Sequence, residues 1–219
     1  TDRFVKSGRW SAGAPNREAS IPIRRLSSLT LGFVGFGNIA RLVLERARPF
    51  GLRFIASDPY VTKEAAAELG VSLVPIEQVM AESDIVSLHV LLNAHTRGMI
   101  DARLLGLMKP TAYLVNTSRG PVVDEKALID ALQTGRIAGA GLDVMEVEPV
   151  AADNPLLGMT NVLLTSHIAS YSEEGDISHQ NRTVEILLQV VRGGLPERKV
   201  VVNKDLYDQL AAALQKAPV

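Results

Sequence analysis

The sequence predicts an α/β fold: a doubly wound parallel sheet with helices on both faces. Three observations lead there. Apolar runs of four to six residues recur along the chain, they alternate with longer segments of helical period, and each run is continuous rather than alternating in polarity. Continuous runs mark strands covered on both faces, which is the condition of a parallel sheet flanked by helices.

Taken in order, residues 1–28 are basic and rich in turn formers, with Phe4, Val5 and Trp10 as the large apolar anchors, and read as a short helix and an extended lead-in. Phe4 and Trp10 are expected to pack against the domain or a second subunit. Strands are predicted at 31–34, 53–57, 85–90, 112–116, 138–143 and 162–165. Residues 39–50 carry an apolar stripe through Ile39, Leu42, Val43, Ala47 and Phe50, so they read as a helix whose charged residues Glu45, Arg46 and Arg48 form a solvated face. A second stripe runs through Leu128, Ile129 and Leu132, with Asp124 as its N-cap and Gly135 at its C-terminal end. After His167, Glu173 to Val191 reads as a long helix ended by Gly193-Gly194-Leu195-Pro196, followed by a strand-like run and a last helix. The domain reading is a connector at 1–28, a cofactor-binding domain at 29–170 and a return segment at 171–219.

Composition narrows the function. With 47% hydrophobic and 21% charged residues, the chain can bury a full core. Twenty-three basic against twenty-four acidic residues argue against a surface built for nucleic acid. Without cysteine there is neither a disulfide framework nor a thiolate metal site, and no metal is expected. No apolar stretch approaches the roughly 20 residues that span a bilayer, and Thr1, Asp2 and Arg3 do not begin a signal peptide, so a cytoplasmic protein with no membrane partner is expected.

The motif with the most chemistry is Gly35-Phe36-Gly37-Asn38-Ile39-Ala40, a GxGxxA loop that follows a strand and opens a helix. Gly35 permits the tight turn, Gly37 lets a pyrophosphate approach the backbone, and Ala40 keeps helix and strand close. The helix N-terminus offers unpaired N–H groups to the phosphates. Asp58 ends the next strand where a Rossmann-type fold places the group that binds the ribose hydroxyls. Its carboxylate repels a 2′-phosphate, and Pro59, Tyr60 and Val61 supply no arginine, so NAD is favoured over NADP.

Three further segments stand at strand ends: Asn116-Thr117-Ser118-Arg119-Gly120, then Gly141 to Pro149 with Asp143, Glu146 and Glu148, then Thr165-Ser166-His167. A guanidinium can grip a substrate carboxylate through paired hydrogen bonds, and a histidine beside a carboxylate can pass a proton to a carbonyl. That set suits 2-oxoacid reduction.

With these motifs, Ser7-Gly8-Arg9-Trp10 and Glu148-Pro149, the chain resembles the D-isomer-specific 2-hydroxyacid dehydrogenases over nearly all of Phe4 to Asn203. Leu88-His89, Leu92-Asn93-Ala94-His95 and Tyr171-Ser172-Glu173 bring it nearest to the group that includes the C-terminal-binding-protein corepressors and the phosphoglycerate dehydrogenases. The resemblance implies that Arg119 anchors substrate, that His167 is the acid/base, and that Glu148, rather than its neighbour Glu146, orients it. It also implies that Asp143 meets the nicotinamide carboxamide and that Asn38, Ile39, Thr117, Ser118, Arg119 and His167 line the cofactor. The chain departs from the family pattern at Leu91 and Ser166, where most relatives carry proline. His89, His95 and His179 read as structural or surface residues.

The expected function is therefore an NAD-dependent oxidoreductase acting on a 2-hydroxyacid or 2-oxoacid, as a homodimer. The substrate domain is expected to be largely absent from this chain, leaving it inactive alone. The alternative of a different class is an NAD-gated dimeric binding module of corepressor type.

Overall fold

The computed structural model describes residues 5–13, 24–201 and 203–216. Among them, β1 (Thr30–Val34), β2 (Arg53–Ser57), β3 (Ser72–Leu73), β4 (Ile85–Leu88), β5 (Tyr113–Asn116), β6 (Gly139–Leu142) and β7 (Val162–Leu164) form one sheet in the order β3-β2-β1-β4-β5-β6-β7. Every pairing is parallel. The connections run one way from β1 to β3 and the other way from β4 to β7, so the loops after β1 and β4 diverge and leave a crevice at the carboxyl ends of the strands.

The crossovers carry α1 (Asn38–Ala47), α2 (Lys63–Glu68), α3 (Ile76–Glu82), α4 (Ala102–Leu107) and α5 (Glu125–Gln133). Side chains alternate along a strand, so β1, β2 and β4 each feed two cores. Leu31, Phe33, Phe54 and Ala56 join one with Ala40 and Leu44 of α1, while Val34, Ile55, Val86, Leu88 and Leu114 join the other. In the first, Phe33 lies 5.6 Å from Phe36 and 6.4 Å from Phe54 between ring centroids. Each such ring contributes about 1.5–3 kcal/mol by leaving water, and Phe36 thereby anchors the glycine loop to the sheet.

At the opposite end of the sheet, buried Asp84 accepts bonds from Thr30 N–H at 2.9 Å, Arg24 at 2.5 Å and Lys109 at 3.1 Å. Burial works against its charge, yet these three donors outweigh it and hold the carboxyl below its ordinary range. One compact unit ends at His167 and a second starts at Ile168. The second contains α6 (Glu173–Val191), capped by Ser172 Oγ accepting from Gly175 N–H, and α7 (Lys204–Lys216). None of the described helices is long and apolar enough to cross a membrane.

Several sequence expectations shift. The helix predicted over 39–50 divides at Ala47, because Pro49 follows and Arg48–Phe50 tightens into a 3-10 turn. The strand predicted to residue 90 stops at Leu88, where β5 and β1 end beside it. Two-residue β3 was too short to leave a pattern. The strand-like run near Val200 is a 3-10 turn at Arg198–Val200, and no strand stands there among the described residues. Trp10 does not pack into the domain: it is 65% exposed. Phe4 lies outside the described residues.

Candidate active site

The glycine loop begins with Gly35 at φ 85°. A side chain there would meet the backbone carbonyl of His89 and Val90, so both conformation and space require glycine. Gly37, the N-cap of α1, differs: a Cβ there would find nothing within 4 Å, which leaves an open cradle against the helix N-terminus. Ala40 is fully buried against the sheet, as its methyl group allows.

Asp58 is pinned by two backbone donors. Its Oδ2 accepts from Phe36 N–H at 2.7 Å and its Oδ1 from Tyr60 N–H at 2.8 Å. The carboxylate thus ties the end of β2 to the glycine loop while each oxygen keeps lone-pair capacity for a hydroxyl donor. Gly35, Gly37 and Asp58 line one cavity of about 780 Å³, with Leu91 and His89 in its wall. A dinucleotide's adenosine half fits the shape and polarity of this wall, and the cradle at Gly37 fits its phosphates.

Of the two readings for His89, the structural one holds. Its Nε2 lies 2.9 Å from Ser87 Oγ and its ring 5.8 Å from the Phe33 centroid. Burial pushes its pKa down to about 4.

A second cavity, of about 470 Å³, lies at the ends of β6 and β7 and is lined by Asp143, Met145, Glu148, Thr165, Ser166 and His167. His167 Nδ1 stands 2.8 Å from Glu148 Oε2, and Glu148 Oε1 accepts from Met145 N–H at 2.9 Å. The bond from His167, then that from Met145, holds the Glu148 carboxyl below its ordinary range. An ionised carboxylate only accepts, so Nδ1 carries the proton and Nε2 is the nitrogen turned to other chemistry. The His167 backbone is left-handed at φ 58°, and its N–H donates to Asp143 O at 2.8 Å. Asp143 is itself oriented by Thr165 Oγ, donating at 2.6 Å.

Arg119 follows β5 on an exposed turn, its guanidinium donating to Ser118 O at 2.6 Å. The turn is organised by buried Asn116, whose Oδ1 accepts from Ser118 N–H and Oγ and whose Nδ2 donates to Arg119 O. Next along, Gly120 abuts the Met145–Glu146 backbone so closely that a methyl group would overlap the Met145 carbonyl.

The structure therefore gathers Gly35, Gly37 and Asp58 in one cavity and Asp143, Glu148 and His167 in another, both at the carboxyl edge of the sheet. Ile39, Thr117, Ser118 and Arg119 line neither, and Asn38 borders a groove on the outer face of α1. Glu146 turns away from His167 and meets Glu125. The two departures separate: Leu91 borders the first cavity and Ser166 the second. Sequence reading did not assign Asn116, Thr165 or His89 to the site, although each stands at a strand end where ligands gather in open parallel sheets.

The fold, cradle and acidic residue define a dinucleotide-binding domain of doubly wound type. The chain belongs to the D-isomer specific 2-hydroxyacid dehydrogenases, whose NAD binding domain is matched by residues 1–169. It is 45% identical over 209 residues to the glyoxylate reductase of Korarchaeum cryptofilum, covering 94% of this chain and 60% of that protein. Among solved structures it resembles the D-lactate dehydrogenase of Aquifex aeolicus complexed with NAD and lactic acid, at TM-score 0.75 and 32% identity over 87% of this chain. An acyclic imino acid reductase in complex with NADPH and D-Arg gives TM-score 0.74 and 32% identity over 89%. The chain spans 61% of each of those two solved chains.

Proposed function

We propose that this chain is the cofactor-binding part of an NAD-dependent oxidoreductase that interconverts a D-2-hydroxyacid and its 2-oxoacid. The observation that carries the reading is the His167–Glu148 pair, set in a cleft at the carboxyl edge of a dinucleotide-binding sheet. NAD supplies the hydride chemistry when bound. Gly35, Gly37, Asn38 and Ile39 hold its phosphates, Asp58 its ribose, and Thr117, Ser118 and Asp143 its nicotinamide side. Arg119, released from Ser118 O, pairs with the substrate carboxylate through two N–H groups.

His167 gives the proton from Nε2 to the carbonyl oxygen during reduction and takes it back in the reverse direction. Glu148 fixes the ring's orientation and stabilises the imidazolium between turnovers. The C-terminal bound of the cofactor domain, 29–170, is supported by the compact unit that ends at His167; that unit starts at Thr1 and so does not separate off a connector at 1–28. A homodimer in the cytoplasm belongs to the same proposal, on the family resemblance and the cysteine-free sequence.

The test restores a substrate domain to this chain and follows absorbance of NADH during incubation with glyoxylate, pyruvate and other 2-oxoacids, alongside NADH binding by fluorescence. Binding together with consumption that vanishes in His167→Gln supports the reading. NADH bound but consumed equally by wild type and His167→Gln would overturn the proton-donor role, and no NADH binding would overturn the whole.

A further inference from the structure

The loop that carries Glu148 is held from a second direction. Glu125, the first residue of α5, accepts at Oε2 from Glu146 N–H at 3.0 Å, and Glu146 Oε2 accepts from Glu125 N–H at 3.3 Å. Asn154 Nδ2 donates to the other oxygen of Glu125 at 2.7 Å and so sets its rotamer. Two carboxylates thus exchange backbone bonds across 21 residues of chain, in the manner of a capping box spread over two loops. On the same loop, Met145 N–H donates to Glu148 Oε1 and Glu148 Oε2 meets His167 Nδ1. Gly120 packs against the Met145–Glu146 backbone, which joins the Arg119 turn to the same junction.

We propose that Glu125 is a positioning residue that, through the Glu146 backbone, sets the orientation of Glu148 and hence of the His167 ring. Glu125 touches no substrate: it acts by fixing residues 145–146, from which Glu148 takes one of its two bonds. This explains why a second glutamate stands two residues before the one facing histidine. The consequence for catalysis rests on the acid–base reading above, but the test reads the hydrogen bond itself and stands whether or not turnover is seen.

The measurement uses 15N-histidine-labelled protein and the downfield proton resonance of His167 Nδ1–H, identified by its loss in His167→Gln, together with amide exchange at Glu146. In Glu125→Ala the resonance moves upfield or broadens, and the Glu146 amide exchanges up to about tenfold faster for the loss of its acceptor. Glu125→Gln, which keeps an oxygen for the Glu146 N–H, restores the resonance. Asp124→Ala removes the α5 cap, where Asp124 Oδ1 accepts from Ala127 N–H, and leaves the resonance in place. Should Glu125→Ala fail to fold, Asn154→Ala frees the Glu125 side chain without altering α5, at the loss of the cap on the 3-10 turn Pro155–Gly158, and moves the resonance in the same direction. A resonance unmoved by these variants, or moved as far by Asp124→Ala, would overturn the assignment and leave the His167–Glu148 reading intact.

Discussion

His167 and Glu148, 19 residues apart in the chain, meet at 2.8 Å between Nδ1 and Oε2. The contact is possible because the His167 backbone turns left-handed as it leaves β7, with its N–H on Asp143 O. A left-handed non-glycine residue at a cleft is a common mark of a functional position. Here the contacts around it hold the ring against a carboxylate.

The pair has a pH signature. The Glu148 carboxyl is held below its ordinary value of 4.5 by His167 and then Met145, so the contribution of its charge is complete above that value and is lost as pH falls through the lowered one. With a substrate domain restored, His167→Gln is expected to lower NADH oxidation about 10²–10⁴-fold. Glu148→Gln lowers it by a smaller factor and abolishes the acid limb of the wild-type profile. An unchanged acid limb in Glu148→Gln, measured by initial rates across pH, contradicts the role of this carboxylate.

Cofactor choice is expected to turn on Asp58. With two backbone donors fixing its carboxylate, Asp58→Asn retains the turn but loses the negative charge. A hydrogen bond to a charged group contributes about 1.5–3 kcal/mol, so NADH binding weakens by about 10- to 100-fold. NADPH binding, freed of repulsion, falls less or rises. Fluorescence titration of both cofactors checks this, and an unaltered ratio of affinities rules it out.

Gly120→Ala forces a methyl group onto the Met145 carbonyl. Because the obstacle is backbone, relief requires the two loops to separate, at about 1–3 kcal/mol. Thermal unfolding is expected several degrees lower, with chemical shifts moving at both Arg119 and Met145. A variant as stable as wild type with unmoved Met145 signals is the contrary result.

His89 makes the fold sensitive to acid. Its pKa is about 4 in the folded protein against 6.5 for the free side chain, so unfolding takes up a proton between those values. Stability from this group is unaffected above pH 6.5 and declines as pH falls toward 4, by about 3 kcal/mol in all. His89→Gln removes that slope in urea unfolding measured at pH 7 and pH 4.5. An imidazole signal titrating above pH 6 by NMR shows the ring to be hydrated instead of buried.

How far the sequence reaches differs between sheet and site. The β1, β2, β5 and β6 runs were legible because their inner residues are buried or half-buried under flanking helices, and the edge strand β7 was legible as an apolar run although Leu163 is exposed. The helix from Glu173 to Val191 and the Asp124 cap were legible because their signals are local. Arg119, Glu148 and His167 stood out through family likeness at strand ends, but their mutual placement did not.

By itself the sequence determined the parallel α/β architecture, the turn that only Gly35 can make and the acidic residue at the end of β2. Those features depend on neighbours a few positions away, where backbone sterics and periodicity act directly. Family likeness already preferred Glu148 over Glu146 as the partner of His167; only the tertiary structure showed the contact itself, that Glu146 faces Glu125, that Gly120 lets two loops touch, and that His89 is walled in beside the glycine loop. Glutamates two residues apart on an irregular loop have no period to distinguish them. Without the family likeness, which one meets the histidine depends on the path of a chain packed against segments about 20 residues away.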